Sequence, residues 1–182
     1  MRILLPKMLR PIDPNYGPVL FYAGPIKGGD DWQHKAVLET KKQLGNPFYA
    51  VLPNHYEDDH PLTKLVVKGI DYETLSQLSW ERRYLGLASE IGCIIFWLPL
   101  ESKVKPRTDG NPYAMNTFGE LGEWRGRLMR KEQAKVVIGA EKGFPGLSQI
   151  QRNFNEALNC KFPIYETLEE TIKAAIEKIH KK

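Results

Sequence analysis

Two carboxylates in this chain stand in settings where they can do chemistry. Glu120 lies in "NTFGELG", with Gly119 and Gly122 beside it and Asn116 and Thr117 just before it. Glu81 follows Trp80 in "SWERRYLG" and precedes Arg82 and Arg83. Two acids that converge from different elements form the pair used in glycoside chemistry: one attacks the anomeric carbon, the other protonates the leaving group. Spacing along the chain does not show whether these two converge. Glu120 has two readings on its residues alone. It is an ordinary first-turn helix acid, favoured by free backbone N–H groups and the helix dipole. Or it is a nucleophile kept ionised by that same field, with small neighbours that admit a substrate ring and with Asn116 and Thr117 to orient it or to bond a sugar hydroxyl. Glu81 is likewise either a solvated helix acid or the partner of Glu120.

The other candidate motifs are weaker. "AGPIKGGDDW" is rich in glycine but is neither GxGxxG nor GxxxxGK[ST], so it supports neither a dinucleotide fingerprint nor a P-loop. Gly24 and Pro25 either form a tight strand-to-helix turn or bring backbone close to a ligand. "NHYEDDH" offers two histidines and three acids in seven residues, and a solvated loop is expected there rather than a metal site. There is no GxSxG and no cysteine within a recognisable histidine-partner motif. The two cysteines, Cys93 and Cys160, are too few for a disulfide framework, and Cys93 is expected to be buried.

The elements that must position these residues follow from hydrophobic pattern. "VLFYA" from Val19 reads as a strand. The stretch after it has an apolar face of Trp32, Ala36, Val37 and Leu44, an N-cap at Asp31 and a stop at Gly45. "FYAVLP" is a second strand and "CIIFWLPL" a third, the latter apolar on both faces as a central parallel strand is. Between them, Leu75, Leu78, Leu85 and Ala88 recur at helical spacing up to Gly92. After the third strand comes a long loop rich in Pro, Gly and Asn, then a helix over "TFGELGEWRGRLMRKEQ". "AKVVIGA" is a fourth strand, "GFPGLSQIQRNFNEALN" a loop with a short helix, and "FPIY" a fifth strand. A last helix is capped by Thr167 with Glu170. Five alternations of strand and helix imply one α/β domain with a five-stranded parallel sheet. Residues 18–182 form it, and residues 1–17 are an arm or a short extra strand. Ligands of open parallel sheets bind beyond the C-terminal strand ends, where "AGPIKGGDDW", "PNHYEDDH" and the approach to "NTFGELG" all fall.

A net charge of +4 over 182 residues, spread rather than striped, does not suggest a nucleic-acid polymer as partner. No apolar run is long enough to span a bilayer, and the N-terminus lacks the features of a signal peptide, so a cytoplasmic protein with no membrane partner is expected.

The segments "VLFYAGPI", "QLSWERRYLGLASEIGCIIFWLP", "NTFGELGEW" and "KVVIGAEKGFP" occur in the order seen in nucleoside 2-deoxyribosyltransferase-like proteins, which the chain resembles over roughly residues 18–175. The most specific parts are Trp80-Glu81 and the "TxxELG" of Thr117, Glu120, Leu121 and Gly122. The resemblance implies a flavodoxin-like fold. It implies that Glu120 attacks C1′ of a nucleoside to give a covalent glycosyl-enzyme, resolved by water or a second base, and that Glu81 contacts the leaving base. Tyr22, Gly24 and Pro25 match the segment lining the sugar and base pocket, and Trp32, Asn116 and Thr117 are counted with it. No metal or organic cofactor is implied. The partner is a small-molecule nucleoside or nucleotide, and the assembly a homodimer or larger homo-oligomer. Better-studied transferases carry an aspartate-containing approach to the nucleophile, and here Asn116 occupies that neighbourhood; Gly119 stands where larger residues are usual. Two alternatives remain on the same scaffold. One is a hydrolase of nucleoside 5′-monophosphates, with Lys27, Arg125, Arg127 and the Gly28–Gly29 backbone as phosphate contacts. The other is a nucleotide-binding sensor without turnover.

Overall fold

The computed structural model describes residues 1–6, 8–67, 70–71, 76–130 and 133–181. Among these residues there are eight strands: β1 (Arg2–Leu4), β2 (Met8–Leu9), β3 (Val19–Ala23), β4 (Tyr49–Val51), β5 (Ile70–Asp71), β6 (Gly92–Leu98), β7 (Val136–Ala140) and β8 (Ile164–Tyr165). The helices are α1 (Trp32–Leu44), α2 (Gln77–Ile91), α3 (Met115–Met129), α4 (Leu147–Leu158) and α5 (Leu168–His180). Six strands form one parallel sheet in the order β1-β4-β3-β6-β7-β8. Leaving β1 aside, the order is that of a flavodoxin-like sheet, with its topological switch between β3 and β6. The sheet thus has six strands rather than the five expected. The sixth comes from the N-terminal segment, where β1 runs beside β4 with Arg2 opposite Tyr49. β2 and β5 make a separate antiparallel pair.

Both faces of the sheet are covered, and every residue of β3, β6 and β7 is buried. Alternation along each strand divides the core in two. Val19, Phe21 and Ala23 of β3 face the layer that holds Trp80, Tyr84, Leu85 and Ala88 of α2, Leu121 and Trp124 of α3, and Ile150 and Phe154 of α4. Leu20 and Tyr22 face the opposite layer, with Trp32, Ala36 and Val37 of α1 and Ile172 and Ala175 of α5. Trp80 is fully buried against Phe21 and Tyr84, with ring centroids 6.3 and 5.0 Å away. Burying an indole of ~150–250 Å² stabilises by at most about 4–6 kcal/mol at ~25 cal/mol per Å².

Local chemistry explains the helix ends. The Asp31 carboxylate caps α1 by accepting from the His34 amide, and Gly45 closes the helix in the left-handed region. Thr167 caps α5 by accepting from the Glu170 amide at 3.2 Å. Gly92 ends α2 and begins β6 with no intervening loop. A side chain there would collide with the backbone of Val19 on the adjacent strand, so the close approach of β6 to β3 requires glycine.

Two expectations about the helices need correction. Leu78 is not on the buried face of α2: it is 55% exposed, and the stripe consists of Trp80, Tyr84, Leu85 and Ala88. Aromatic residues one turn apart take the core-facing positions and rotate Leu78 outward. Leu75, expected on the same face, lies outside the described residues. The third predicted helix begins at Met115, two residues earlier than its sequence pattern indicates.

Candidate active site

That early start changes the place of Glu120. Counting from Met115, it is the sixth residue of α3 and lies in the second turn, and the first turn holds no acid. Free N–H groups and the dipole field act mainly within the first turn. Glu120 therefore does not have the reason for being there that a first-turn acid has. It is half-buried, with Leu121 buried beside it. Burial raises its pKa from the ordinary 4.5 to about 8, and the charges of Glu81 and Glu123 add to the effect. The carboxyl is thus largely protonated at neutral pH.

Glu81 is the fifth residue of α2 and also half-buried. Both helices start near the C-terminal edge of the sheet and lie over the same face, so both acids sit one to two turns below that edge. The structure thus brings Glu81 and Glu120 within electrostatic reach of each other, which sequence spacing did not show. Burial raises the Glu81 pKa as well, while a hydrogen bond from Gln77 and the charge of His55 oppose the rise. Gln77 donates to Glu81 Oε1 at 2.8 Å and to the Pro53 carbonyl at 3.2 Å, and its Oε1 meets His55 Nε2 at 2.9 Å. Gln77 did not stand out in the sequence, and His55 did so only as one of the histidines of "NHYEDDH", where a solvated loop was expected. The i,i+4 relation of Gln77 to Glu81 was the one available signal.

Asn116 and Thr117 lie one turn before Glu120 on α3; Asn116 is exposed and Thr117 is buried. A Cβ built at Gly119 or Gly122 meets nothing within 4 Å. Packing does not demand glycine at either place, and the backbone beside Glu120 is open to a ligand.

The remaining expected site residues lie elsewhere. Tyr22 is not in a cleft with the two acids. It points to the opposite face of the sheet, is fully buried, and donates to Thr40 Oγ1 at 2.8 Å. The period-2 alternation of β3 decides this, because Phe21 and Ala23 take the side that faces α2 and α3. Gly24 follows with φ 148° and sits against the Trp97 carbonyl and the Trp32 ring, so a side chain would collide there. The tight-turn reading of this segment accounts for it. Pro25 is buried, and its carbonyl accepts from Trp32 Nε1 at 2.8 Å.

Trp32, itself buried, borders two clefts at the sheet's C-terminal edge. One, of about 640 Å³, is lined by Gln33, Asn54, His55, Tyr56 and His60. The other, of about 630 Å³, lies between α1 and the start of α5, with Leu38, Trp97, Leu100 and Thr167 in its wall. Glu81 and Glu120 line neither. His55 joins the first cleft to the acids through Gln77.

Asp31, His34 and His60 bring three potential ligand atoms within 4.8 Å of one another at the rim of that cleft. His60 Nε2 lies 2.9 Å from Asp31 Oδ2, and Tyr56 donates to Asp31 Oδ1 at 3.2 Å while stacking on the His60 ring. His60 Nδ1 accepts from the Leu62 amide at 3.2 Å, which leaves the ring hydrogen on Nε2, facing Asp31. A metal at Nε2 would have to displace that hydrogen and break the Leu62 bond. The residues present fit a hydrogen-bonded cluster better than a cation site.

Two of the three cations expected near a phosphate have carboxylate partners of their own. Lys27 pairs with Asp109 at 3.0 Å. Arg127 pairs with Glu123 at 3.0 Å and stacks on Trp124, seven residues beyond Glu120 and ~10 Å further along the helix. Arg125 lies more than one turn beyond Glu120 on the same helix. No helix among the described residues is long and apolar enough to cross a membrane. No family model matches the chain, and no curated protein matches it.

Proposed function

We propose that the protein transfers or hydrolyses at the N-glycosidic bond of a (deoxy)nucleoside, through a covalent glycosyl intermediate on Glu120. The observation that carries this reading is the electrostatic coupling of Glu120 to Glu81, two half-buried carboxyls held on separate helices over one face of the sheet. Resemblance to nucleoside 2-deoxyribosyltransferase-like proteins over "SWE" and "NTFGELG" supports the choice of bond.

Burial, and after it the charge of Glu81, keep Glu120 from ionising readily, so the pair holds one proton near neutral pH. In the resting state burial places it on Glu120. Passing it to Glu81 leaves Glu120 as the carboxylate nucleophile and Glu81 as the acid. A Glu120 oxygen then bonds to C1′ as the C1′–N bond breaks. The bonding electrons leave on the base nitrogen, which takes the proton from Glu81 directly or through a water. Water or a second base attacks C1′ in turn, the C1′–oxygen bond to Glu120 breaks, and Glu81 accepts the incoming group's proton. In this reading the sugar approaches over the open backbone at Gly119 and Gly122, and exposed Asn116, one turn before Glu120, bonds a hydroxyl.

A second reading has its own observation. A carboxyl kept neutral at pH 7 is a hydrogen-bond donor, which suits recognition of a ring nitrogen or carbonyl without turnover. A nucleotide phosphate is less well served, because Lys27 and Arg127 already have carboxylate partners. The deciding experiment is incubation with a panel of nucleosides and nucleotides, free base being followed by chromatography. Release that falls by orders of magnitude in Glu120→Gln, with binding kept, supports the nucleophile. Equal release by Glu120→Gln overturns it, and tight binding with no release moves the sensor reading ahead.

A further inference from the structure

The Gln77 side chain is oriented by its surroundings. The Pro53 carbonyl can only accept, so the NH₂ end of the amide must be the end that faces it. The amide oxygen is then turned toward His55, whose Nε2 lies 2.9 Å away and must donate. The same NH₂ group has its second hydrogen directed at Glu81 Oε1, 2.8 Å away. A flipped amide would set oxygen against the Pro53 oxygen and nitrogen against the His55 donor. Glu81 therefore always meets a donor on this side, whichever way the proton of the carboxyl pair moves.

We propose that Gln77, locked between the Pro53 carbonyl and His55, is a positioning residue that keeps Glu81 the ionised member of its pair with Glu120. The proposal rests on the paired-acid reading above. A donor aimed at a carboxylate stabilises the charged form. Glu81 thus leaves the resting proton on Glu120, and it is the stronger acid once it does carry one. Among the described residues, the charged group acting on Glu81 is His55 from the loop after β4, and the charge of Glu81 is in turn felt by Glu120 of α3. Arg82 and Arg83 are its exposed neighbours on α2, and Glu123 acts on Glu120 from the next turn of α3. His55 also lines the 640 Å³ cleft, so a molecule bound there would touch the outer end of the chain that orients Glu81.

The test is a carbon-13 titration of the glutamate side-chain carboxyls in the full chain without substrate. Signals are assigned from the spectra of Glu81→Gln and Glu120→Gln. Gln77→Met keeps the length of the side chain and removes the donor. It is expected to move the Glu81 step up by about one pH unit and to leave the Glu120 step near its wild-type position. His55→Ala, at an exposed site, removes the donor that holds the amide oxygen together with the charge that lowers the Glu81 step, and moves that step the same way by a smaller amount. A Glu81 step unmoved in both variants overturns the proposal, and so does an equal displacement of both steps, which would signal a general loosening of the fold. Failure of the underlying reading shows separately. Glu81→Gln would then leave the Glu120 step where it is, meaning that the carboxyls are not a pair.

Discussion

Replacing Glu120 by glutamine removes a group that the fold holds at an energetic disadvantage, and this makes a prediction independent of any substrate. In the unfolded chain the carboxyl titrates at its ordinary 4.5; in the folded protein burial and the charge of Glu81 raise this to about 8. A pKa raised by folding contributes stability that is fully present below the unfolded value and is lost as pH rises toward the folded one. The interval from 4.5 to about 8, at ~1.4 kcal/mol per pH unit, amounts to about 5 kcal/mol. The site is only half-buried and solvent screens the repulsion, so the working figure is roughly 2 kcal/mol. Glutamine is nearly isosteric and cannot ionise. Wild type and Glu120→Gln are therefore expected to be equally stable near pH 4, and the variant to be the more stable by roughly 2 kcal/mol at pH 9. For a chain of this size that is about 4–8 °C in melting temperature. The assay is urea unfolding followed by tryptophan fluorescence at pH 4, 6, 7.5 and 9, with the two proteins compared at each pH so that all other titrating groups cancel. Parallel curves for the two proteins would refute the reasoning, because they would mean that Glu120 ionises as freely in the fold as in the unfolded chain. A carboxyl that destabilises its own protein is what a functional site, rather than a packing requirement, produces.

Other consequences follow from the same geometry. If nucleosides are cleaved, the rate should fall on the alkaline side with a midpoint near the Glu120 value of about 8, as the pair loses its last proton; a rate still rising at pH 9.5 would contradict the one-proton pair. Tyr22→Phe removes the bond to Thr40 across the far face of the sheet and should cost ~1 kcal/mol of stability while leaving base release within about twofold; a loss of activity with the fold intact would place Tyr22 at the site after all. Gly24→Ala combines a positive φ with a collision at the Trp97 carbonyl and should cost ~2 kcal/mol or more, read by the unfolding midpoint in urea. Leu78→Ala, on the exposed side of α2, should change stability by no more than ~0.5 kcal/mol, against ~2–5 kcal/mol for Leu85→Ala in the buried stripe.

What was determined by sequence alone is local. The apolar runs of β3, β6 and β7, the Asp31 and Thr167 caps and the Gly45 stop each depend on residues a few positions apart, and each is where its pattern indicates. The alternation of these elements was enough for a parallel α/β sheet, because parallel neighbours need long crossovers and the helices supply them. The pairing of β1 with β4 was not legible, since three residues carry too little pattern to distinguish a strand from an arm. The side of the sheet on which Tyr22 falls depends on which face of β3 meets α2, a question of register that a strand buried on both faces leaves open. The start of α3 was legible only to within two residues, yet those two residues decide whether Glu120 has a helix terminus to account for it. Above all, the proximity of Glu81 and Glu120, 39 positions apart in the chain, exists only because α2 and α3 lie over the same face of one sheet. The raised Glu120 pKa belongs to that arrangement, since burial and a neighbouring charge are properties of the folded chain and not of a glutamate in its sequence.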